Sequence, residues 1–317
     1  MSETNNFSAC VLAVGLNPAW QKTLEFDDLQ FYEVNRAKSV KLIASGKGIN
    51  FVRAAGNWGK QKAAVFQFTG GETGDKIRDY LDQEPIKHCS VNVEHPTRVC
   101  TTCLCLKSEK MTELIEPSGE IPKADSDELL SRIKDSVPCS KGVAICGTYP
   151  PGIGKDFYLE IAKAAKAANK PVIMDSWMNV EPTLEFGVDI LKINLEEVSA
   201  LTEETQHEKA IKKCLDKYPV KVAAITAGPS NAYLAMEGKL WEYSLPKLDT
   251  VVNPIGAGDT VTSVFFSEYL NGTPAHEAFA LGLAAASASC LTPISADFDL
   301  ETANELRKKI IITSKNI

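Results

Sequence analysis

Apolar runs of four to six residues recur at 10–15, 63–68, 143–146, 171–175, 190–193 and 222–226, and stretches of helical period follow most of them, as at 156–168. Short continuous apolar runs predict strands buried on both faces. Their alternation with amphipathic helices predicts a mostly parallel sheet with helices on both sides. Two stretches break this rhythm. Residues 21–43 and 98–115 read as strand pairs with no helix between them, which predicts a small sheet standing off the main one. No internal repeat, low-complexity tract or long linker interrupts 1–317, a length that exceeds the usual single domain.

Glycines mark two places where this pattern turns to chemistry. Residues 253–259 read NPIGAGD and run straight into TVTSVFFSEYL. Gly256 and Gly258 let the backbone turn tightly and bare successive N–H groups, and the helix that follows adds its positive dipole end. An anion is invited there. Asp259 in the same turn would repel a phosphate unless it takes a proton from the group attacking that phosphate, as a phosphoryl transferase requires. As a plain helix cap, aspartate would be equally at home. The second place is 45–58, SGKGINFVRAAGNW. Gly46 and Gly48 open a helix with Ile49, Val52 and Ala55 on its buried side, while Asn50, Arg53 and Asn57 share the other. With Lys47 at its mouth, this turn suits an anion or a polyhydroxylated ligand. It is not a Walker loop, because no GxxxxGK[ST] occurs in the chain.

Composition narrows the partners. A chain of 317 residues that is 44% hydrophobic can bury a sizeable core. A net charge of -7 argues against nucleic acid and anionic membranes, so an anionic substrate must be drawn by a local basic pocket. Residues 1–8 are polar and the apolar run 9–16 is too short to span a bilayer, so no targeting segment is expected. Nine scattered cysteines suggest a reducing compartment, and a cytoplasmic protein is expected. Cys100, Cys103 and Cys105, with His88, Cys89 and His95 upstream, raise the question of zinc. In a strand, however, Cys103 and Cys105 share one face and Cys100 points to the other, so small apolar cysteines rather than metal ligands are expected.

Together the two glycine segments resemble the two signatures of the phosphofructokinase B (pfkB) group of ribokinase-like carbohydrate kinases, and the resemblance covers nearly the whole chain. The opening VLAVGLNPAWQKTLEF, then YEVNRAKSV and SGKGIN, is similar to 1-phosphofructokinases and tagatose-6-phosphate kinases. TGGETG at 69–74, Thr97-Arg98, TELIEPSGEI from Thr112, CGTYPPG from Cys146, MDS ending at Ser176, LKINLEEVSAL from Leu191 and ITAGPS from Ile225 follow in family order.

The resemblance implies one kinase domain over 1–317, a ribokinase-like three-layer α/β/α fold with a mostly parallel central sheet and a small β-sheet lid formed by about 21–43 and 98–115. It implies transfer of the ATP γ-phosphate to a free hydroxyl of a phosphorylated ketohexose. Asp259 would be the base, and the N–H groups of Gly256, Ala257 and Gly258 would face the transferring group. Lys192, Asn194 and Glu197 would lie at the nucleotide phosphates and magnesium, Thr226 and Gly228 beside the nucleotide, and residues 285–289 near the base. Mg2+ would be held by ATP and water, with Glu197 acting at most through a water. Glu196 and Glu197 are also ordinary residues for a helix start. On the acceptor side the resemblance implies Asn17, Gln21, Arg36, Gly46, Lys47, Asn50 and Arg98, with Arg36, Lys47 and Arg98 on the sugar's phosphate. Pairing of lids in a homodimer is implied, and Cys146 beside the site suggests sensitivity to oxidation.

Several positions depart from the family pattern. Gln21 replaces the aspartate of LNPAID, Ser45 the first glycine of GGKG, Ile193 the proline of KPN, and Thr148-Tyr149 the Ser-Leu before PPG. Asn231 replaces a glycine, a change that asparagine's tolerance of left-handed backbone would ease. A kinase of an unphosphorylated sugar or nucleoside would use the same machinery. A noncatalytic binding homologue is a third alternative, against which Asp259 in an intact turn argues.

Overall fold

The computed structural model describes residues 7–108 and 110–317. In chain order β1 (Cys10–Val14), β2 (Ala19–Phe26) and β3 (Ser39–Ser45) lead to α1 (Lys47–Trp58), β4 (Lys62–Gly70) and α2 (Gly71–Gln83). β5 (His88–Val93), β6 (Val99–Cys105) and β7 (Lys110–Ile115) precede α3 (Lys123–Ser136). The βα rhythm then runs through β8 (Gly142–Cys146), α4 (Phe157–Ala167), β9 (Val172–Asp175), α5 (Glu181–Phe186), β10 (Ile190–Asn194), α6 (Leu195–Thr202), α7 (His207–Lys217) and β11 (Val222–Ala227). A hairpin of β12 (Asn231–Met236) and β13 (Lys239–Ser244), three helices α8 (Ala257–Leu270), α9 (Ala275–Ser289) and α10 (Leu300–Arg307), and β14 (Ile311–Asn316) complete the chain.

Alternation along the central strands splits the core in two. β1 sends Cys10, Leu12 and Val14 to one side, where α3 to α7 pack, and Val11 and Ala13 to the other, where α1, α2 and α8 to α10 pack. The large sheet has the order β14-β13-β12-β11-β10-β9-β8-β1-β4-β5. From β11 to β5 every neighbouring pair is parallel, while β12, β13 and β14 extend one edge antiparallel. All six strands expected from the apolar runs are present, with helices on both faces. α8 is buried from Asp259 to Glu268 all round, as befits a helix in the middle of a core layer. No helix among the described residues is long and apolar enough to cross a membrane.

The two stretches that break the rhythm form a separate sheet of order β3-β2-β6-β7. β2 pairs antiparallel with β3 and parallel with β6, so Gln21 lies beside Ile43 on one side and Cys100 on the other. Cys103 and Cys105 share one face and Cys100 the opposite one, all three being buried, and all nine cysteines are free thiols. Among the described residues no cluster of His, Cys, Asp and Glu is arranged to hold a metal ion. β7 is exposed along its whole length, and Val40, Leu42, Leu114 and Ile115 leave apolar surface open. Asn231 corrects one expectation: it opens β12 opposite Ala227 and Ser244 and is not left-handed, that conformation falling to Gly228 at φ 71°.

Candidate active site

Strand parity delivers the first group of side chains. Ala144 and Cys146, Ile173, Ile190, Val222 and Ala224 face the α1 and α8 side of the sheet. Two residues further along their strands, Asp175, Lys192 and Thr226 therefore face the same side, at the carboxyl ends where ligands of open α/β sheets collect. Asp175 accepts from Lys47 Nζ at 2.6 Å, Lys192 Nζ at 3.1 Å and Thr262 Oγ1 at 2.6 Å. Burial opposes ionisation of this carboxyl, but Lys192 and Lys47 outweigh it and hold its pKa well below the usual range. Burial likewise opposes the Lys47 ammonium, yet the charges of Asp175, Asp259 and Glu197 push its pKa up. Lys47 therefore remains charged.

The glycine turn faces this ion cluster. Gly256 caps α8 with φ 80°, and a Cβ there would stand 3.0 Å from Ala296 N, so glycine is required on both conformational and steric grounds. Asn253 Oδ1 accepts from Ile255 N at 3.0 Å and its amide donates to Pro293 O at 3.2 Å, which fixes the entry to the turn. A Cβ on Gly258 would stand 3.1 Å from Lys192 Nζ, so that ammonium lies against the turn. Asp259 sits in the first turn of α8, 8% exposed, and accepts from Asn50 Nδ2 at 2.7 Å. Burial raises its pKa and the Asp175 charge adds to that, while Lys47, the Asn50 hydrogen bond and Lys192 oppose it; the net shift is upward. A carboxylate raised in this way is a stronger proton acceptor than an ordinary aspartate.

The polar side of α1 is buried rather than open. Asn50 and Arg53 are buried and Asn57 half-buried, and all three bond to residues 295–297. Ser45 Oγ donates to Asn50 Oδ1 at 3.2 Å. Asn194 and Glu197 cap α6 reciprocally: each side chain accepts from the other's backbone N–H at 2.8 Å. Thr226 pairs with Asn194 across the sheet, and Gly228 turns just beyond. Residues 285–289 form the buried last turn of α9.

The acceptor residues expected from sequence divide into separate groups. Lys47 and Asn50 join Asp175, Lys192 and Asp259. Arg98 Nη2 donates to Asn17 O at 3.2 Å, Ser118 Oγ donates to Asn17 Oδ1 at 2.7 Å, and Arg98 Nε is buried without a partner. Asn17, Thr97, Arg98 and Ser118 line a small cleft that opens to solvent. Gln21 lies in the small sheet, 5% exposed, its amide donating to Thr102 Oγ1 at 2.8 Å. Arg36 is exposed between β2 and β3. Gly46, at φ 121°, precedes α1.

The sequence pattern of the pfkB family carbohydrate kinases matches residues 10–303. The chain belongs to the pfkB family of carbohydrate kinases. It is thus a phosphotransferase with an alcohol group as acceptor. Among solved structures it is similar to a possible 1-phosphofructokinase from Thermotoga maritima, with 21% identity, 97% of this chain and 100% of that chain covered, and a TM-score of 0.86. Phosphofructokinase-2 from Escherichia coli in complex with substrates and products matches at 19% identity, covering 95% and 99%, with a TM-score of 0.86. An Arabidopsis thaliana ribokinase complexed with ribose and ATP matches at 24% identity, covering 95% and 99%, with a TM-score of 0.75. These likenesses establish the fold.

Against the pfkB pattern, two departures now have a structural account. Ser45 supplies a hydroxyl to Asn50 that a glycine could not, and Tyr149 Oη donates to Asn179 O at 2.8 Å, tying the loop after β8 to the turn after β9. Cys146 is 4% exposed, and burial, followed by the charges of Asp175 and Asp259, pushes its thiol well above the usual range. That opposes the expected sensitivity to oxidation, which needs an accessible thiolate. Thr262 and Ser295 were not singled out by sequence, and Asp175 stood in the MDS segment without an assigned role. Asp175 was within reach, since it ends an apolar run with the parity of Cys146 and Lys192.

Proposed function

We propose that this pfkB kinase transfers the γ-phosphate of ATP to a free hydroxyl of a phosphorylated ketohexose, as 1-phosphofructokinases and tagatose-6-phosphate kinases do. The observation that carries the reading is Asp259, a buried carboxyl of raised pKa at the mouth of a glycine-bared helix start, with Lys192 against the turn and Lys47 nearby. The acceptor hydroxyl oxygen attacks the γ-phosphorus as its proton passes to Asp259. The bond from that phosphorus to the β–γ bridging oxygen breaks, and ADP leaves. The N–H groups of Gly256, Ala257 and Gly258 stabilise the charge on the transferring group.

Asn194, Lys192, Glu197, Thr226, Gly228 and the end of α9 border the nucleotide in this reading. Asp175 is already engaged by two ammonium groups and a hydroxyl, and Glu197 by its helix cap. With these carboxylates engaged, an Mg2+ would be held by the ATP phosphates and water, and would supply charge neutralisation there. Asn17, Gln21, Gly46 and Asn50 address the sugar, and Arg36, Lys47 and Arg98 its phosphate. The small sheet closes over the acceptor as a lid. Its exposed Val40, Leu42, Leu114 and Ile115 support pairing with a second copy of the chain. Nine free thiols support a cytoplasmic location.

A coupled assay with MgATP across phosphorylated and free sugars tests the reading. ADP formation that depends on a ketohexose phosphate is expected, and ADP formation with none of the panel would point to a noncatalytic homologue. A kinase of an unphosphorylated sugar is the second reading. It is favoured by one observation: Lys47 is held by Asp175, Arg98 bonds to Asn17, and no bond among the described residues joins Arg36 to either. Arg98→Ala distinguishes the two. If Arg98 holds the phosphate, KM for the phosphosugar should rise about 30-fold, roughly 2 kcal/mol, as for truncating a charge partner. KM for ATP should stay within twofold by rough expectation for an uncontacted ligand. Equal wild-type turnover of a free sugar and its phosphate would sink the sugar-phosphate assignment.

A further inference from the structure

The amide of Asn50 can be turned end for end with little change of shape. In the observed orientation Nδ2 donates to Asp259 Oδ2 at 2.7 Å. Turned over, it would set a carbonyl oxygen against the carboxylate. Three donors meet Asn50 Oδ1 at 3.2 Å each: Ser45 Oγ, Ser295 Oγ and Arg53 Nη1. A hydroxyl accepts as readily as it donates, so the two serines would suit either orientation. A guanidinium only donates. Arg53 therefore breaks the symmetry.

Arg53 is itself held from several directions. It is 6% exposed, with Nε 3.2 and 3.1 Å from the two Glu84 carboxylate oxygens and Nη2 2.7 Å from Glu84 Oε2. Nη2 also donates to Ala44 O at 2.9 Å, and Nη1 to Ser295 O at 3.2 Å. This fork geometry suits arginine; a lysine would offer one point charge with no planar brace. The Glu84 end lies at the wall of an open groove of about 670 Å³.

We propose that Arg53, braced by Glu84, is a positioning residue that fixes the Asn50 amide with its N–H toward Asp259. The inference rests on the kinase reading for its effect on turnover, but not for the orientation itself. The groups facing Asp259 are Lys47 on α1, Cys146 at the end of β8, Asp175 on β9 and Lys192 on β10. All of them remain when Arg53 is replaced.

The test is the titration of the Asp259 carboxyl, followed by carbon NMR in the whole protein and assigned by its loss in Asp259→Asn. In Arg53→Met the midpoint should move up by about one to two pH units, the loss of one hydrogen bond to a charged group. The acid limb of kcat should move up with it while KM for ATP holds. In an Asn50→Ala background, Arg53→Met should move the midpoint no further. An unmoved midpoint in Arg53→Met, or an equal shift with and without Asn50, overturns the proposal. Should Arg53→Met not fold, Glu84→Gln keeps the guanidinium and loosens its brace. It should move the midpoint up by a smaller amount, and no movement there overturns the proposal equally. If the wild type phosphorylates no sugar, the kinase reading fails while the NMR titration still decides the orientation.

Discussion

Asp259→Asn is expected to lower kcat by about two to four orders of magnitude, the usual worth of a general base, with ATP affinity nearly unchanged. Asparagine fits the same space, and the turn is shaped by Gly256 and Asn253, so the N–H groups that would face the phosphates stay in place. Steady-state kinetics beside calorimetric ATP binding reads both quantities. Turnover near the wild-type level would remove Asp259 from the mechanism. The raised pKa adds a second observable. Ionised Asp259 is the form that burial disfavours, so its contribution to stability is fully present below the ordinary aspartate pKa and is lost as pH rises through the raised folded value. At neutral pH the wild type thus carries a strained carboxylate, and Asp259→Asn should unfold at the same or a higher temperature while being nearly inactive. An inactive variant that also unfolds much earlier would instead trace the loss to damaged structure.

The fold was legible wherever a strand is buried on both faces. Runs such as Val11 to Val14 and Val143 to Ile145 are wholly apolar because both core layers claim them. β5, β12, β13 and β14 were not legible: none is buried along its whole length, β14 buries no residue at all, and it is pairing with neighbouring strands at the two ends of the sheet that holds them. In the site, Asp259, Lys47, Asn50 and Lys192 stood in motifs, and the structure brings them together. Asp175 stood in the MDS segment too but was given no role, because an aspartate at a strand end shows what it faces only when strand parity is set beside Cys146 and Lys192. Arg53 was visible on the side of α1 shared with Asn50 and Asn57, but helix periodicity cannot tell a solvent-facing side from one buried against residues 295–297. Gln21 falls in the small sheet and Arg36 in the loop between two of its strands, where neither periodicity nor motif spacing fixes a distance to the large sheet.

Asp175→Ala should reverse the pattern seen with Asp259. It removes the carboxylate that Lys47 and Lys192 both bond, leaving Asp259 as the remaining buried charge that acts on the two ammonium groups. Breaking a buried pair in this way costs about 3 to 5 kcal/mol; the lower end applies, since the Lys47 side chain is 39% exposed and can turn toward water. Urea unfolding at neutral pH measures it. Because Asp175 has a lowered folded pKa, its stabilisation is present above the ordinary aspartate pKa and is lost as pH falls through the folded value. The gap between wild type and variant should therefore hold through neutral and mildly acid pH and close only in strong acid. Removing the Asp175 charge also lifts one of the influences that raise Asp259, so the acid limb of kcat should move to lower pH, opposite to the shift expected for Arg53→Met. A variant as stable as wild type would mean that Asp259 alone is counter-charge enough for Lys47 and Lys192. An acid limb that moved up instead would mean that Asp175 governs Asp259 through the placement of the two lysines rather than through its own charge.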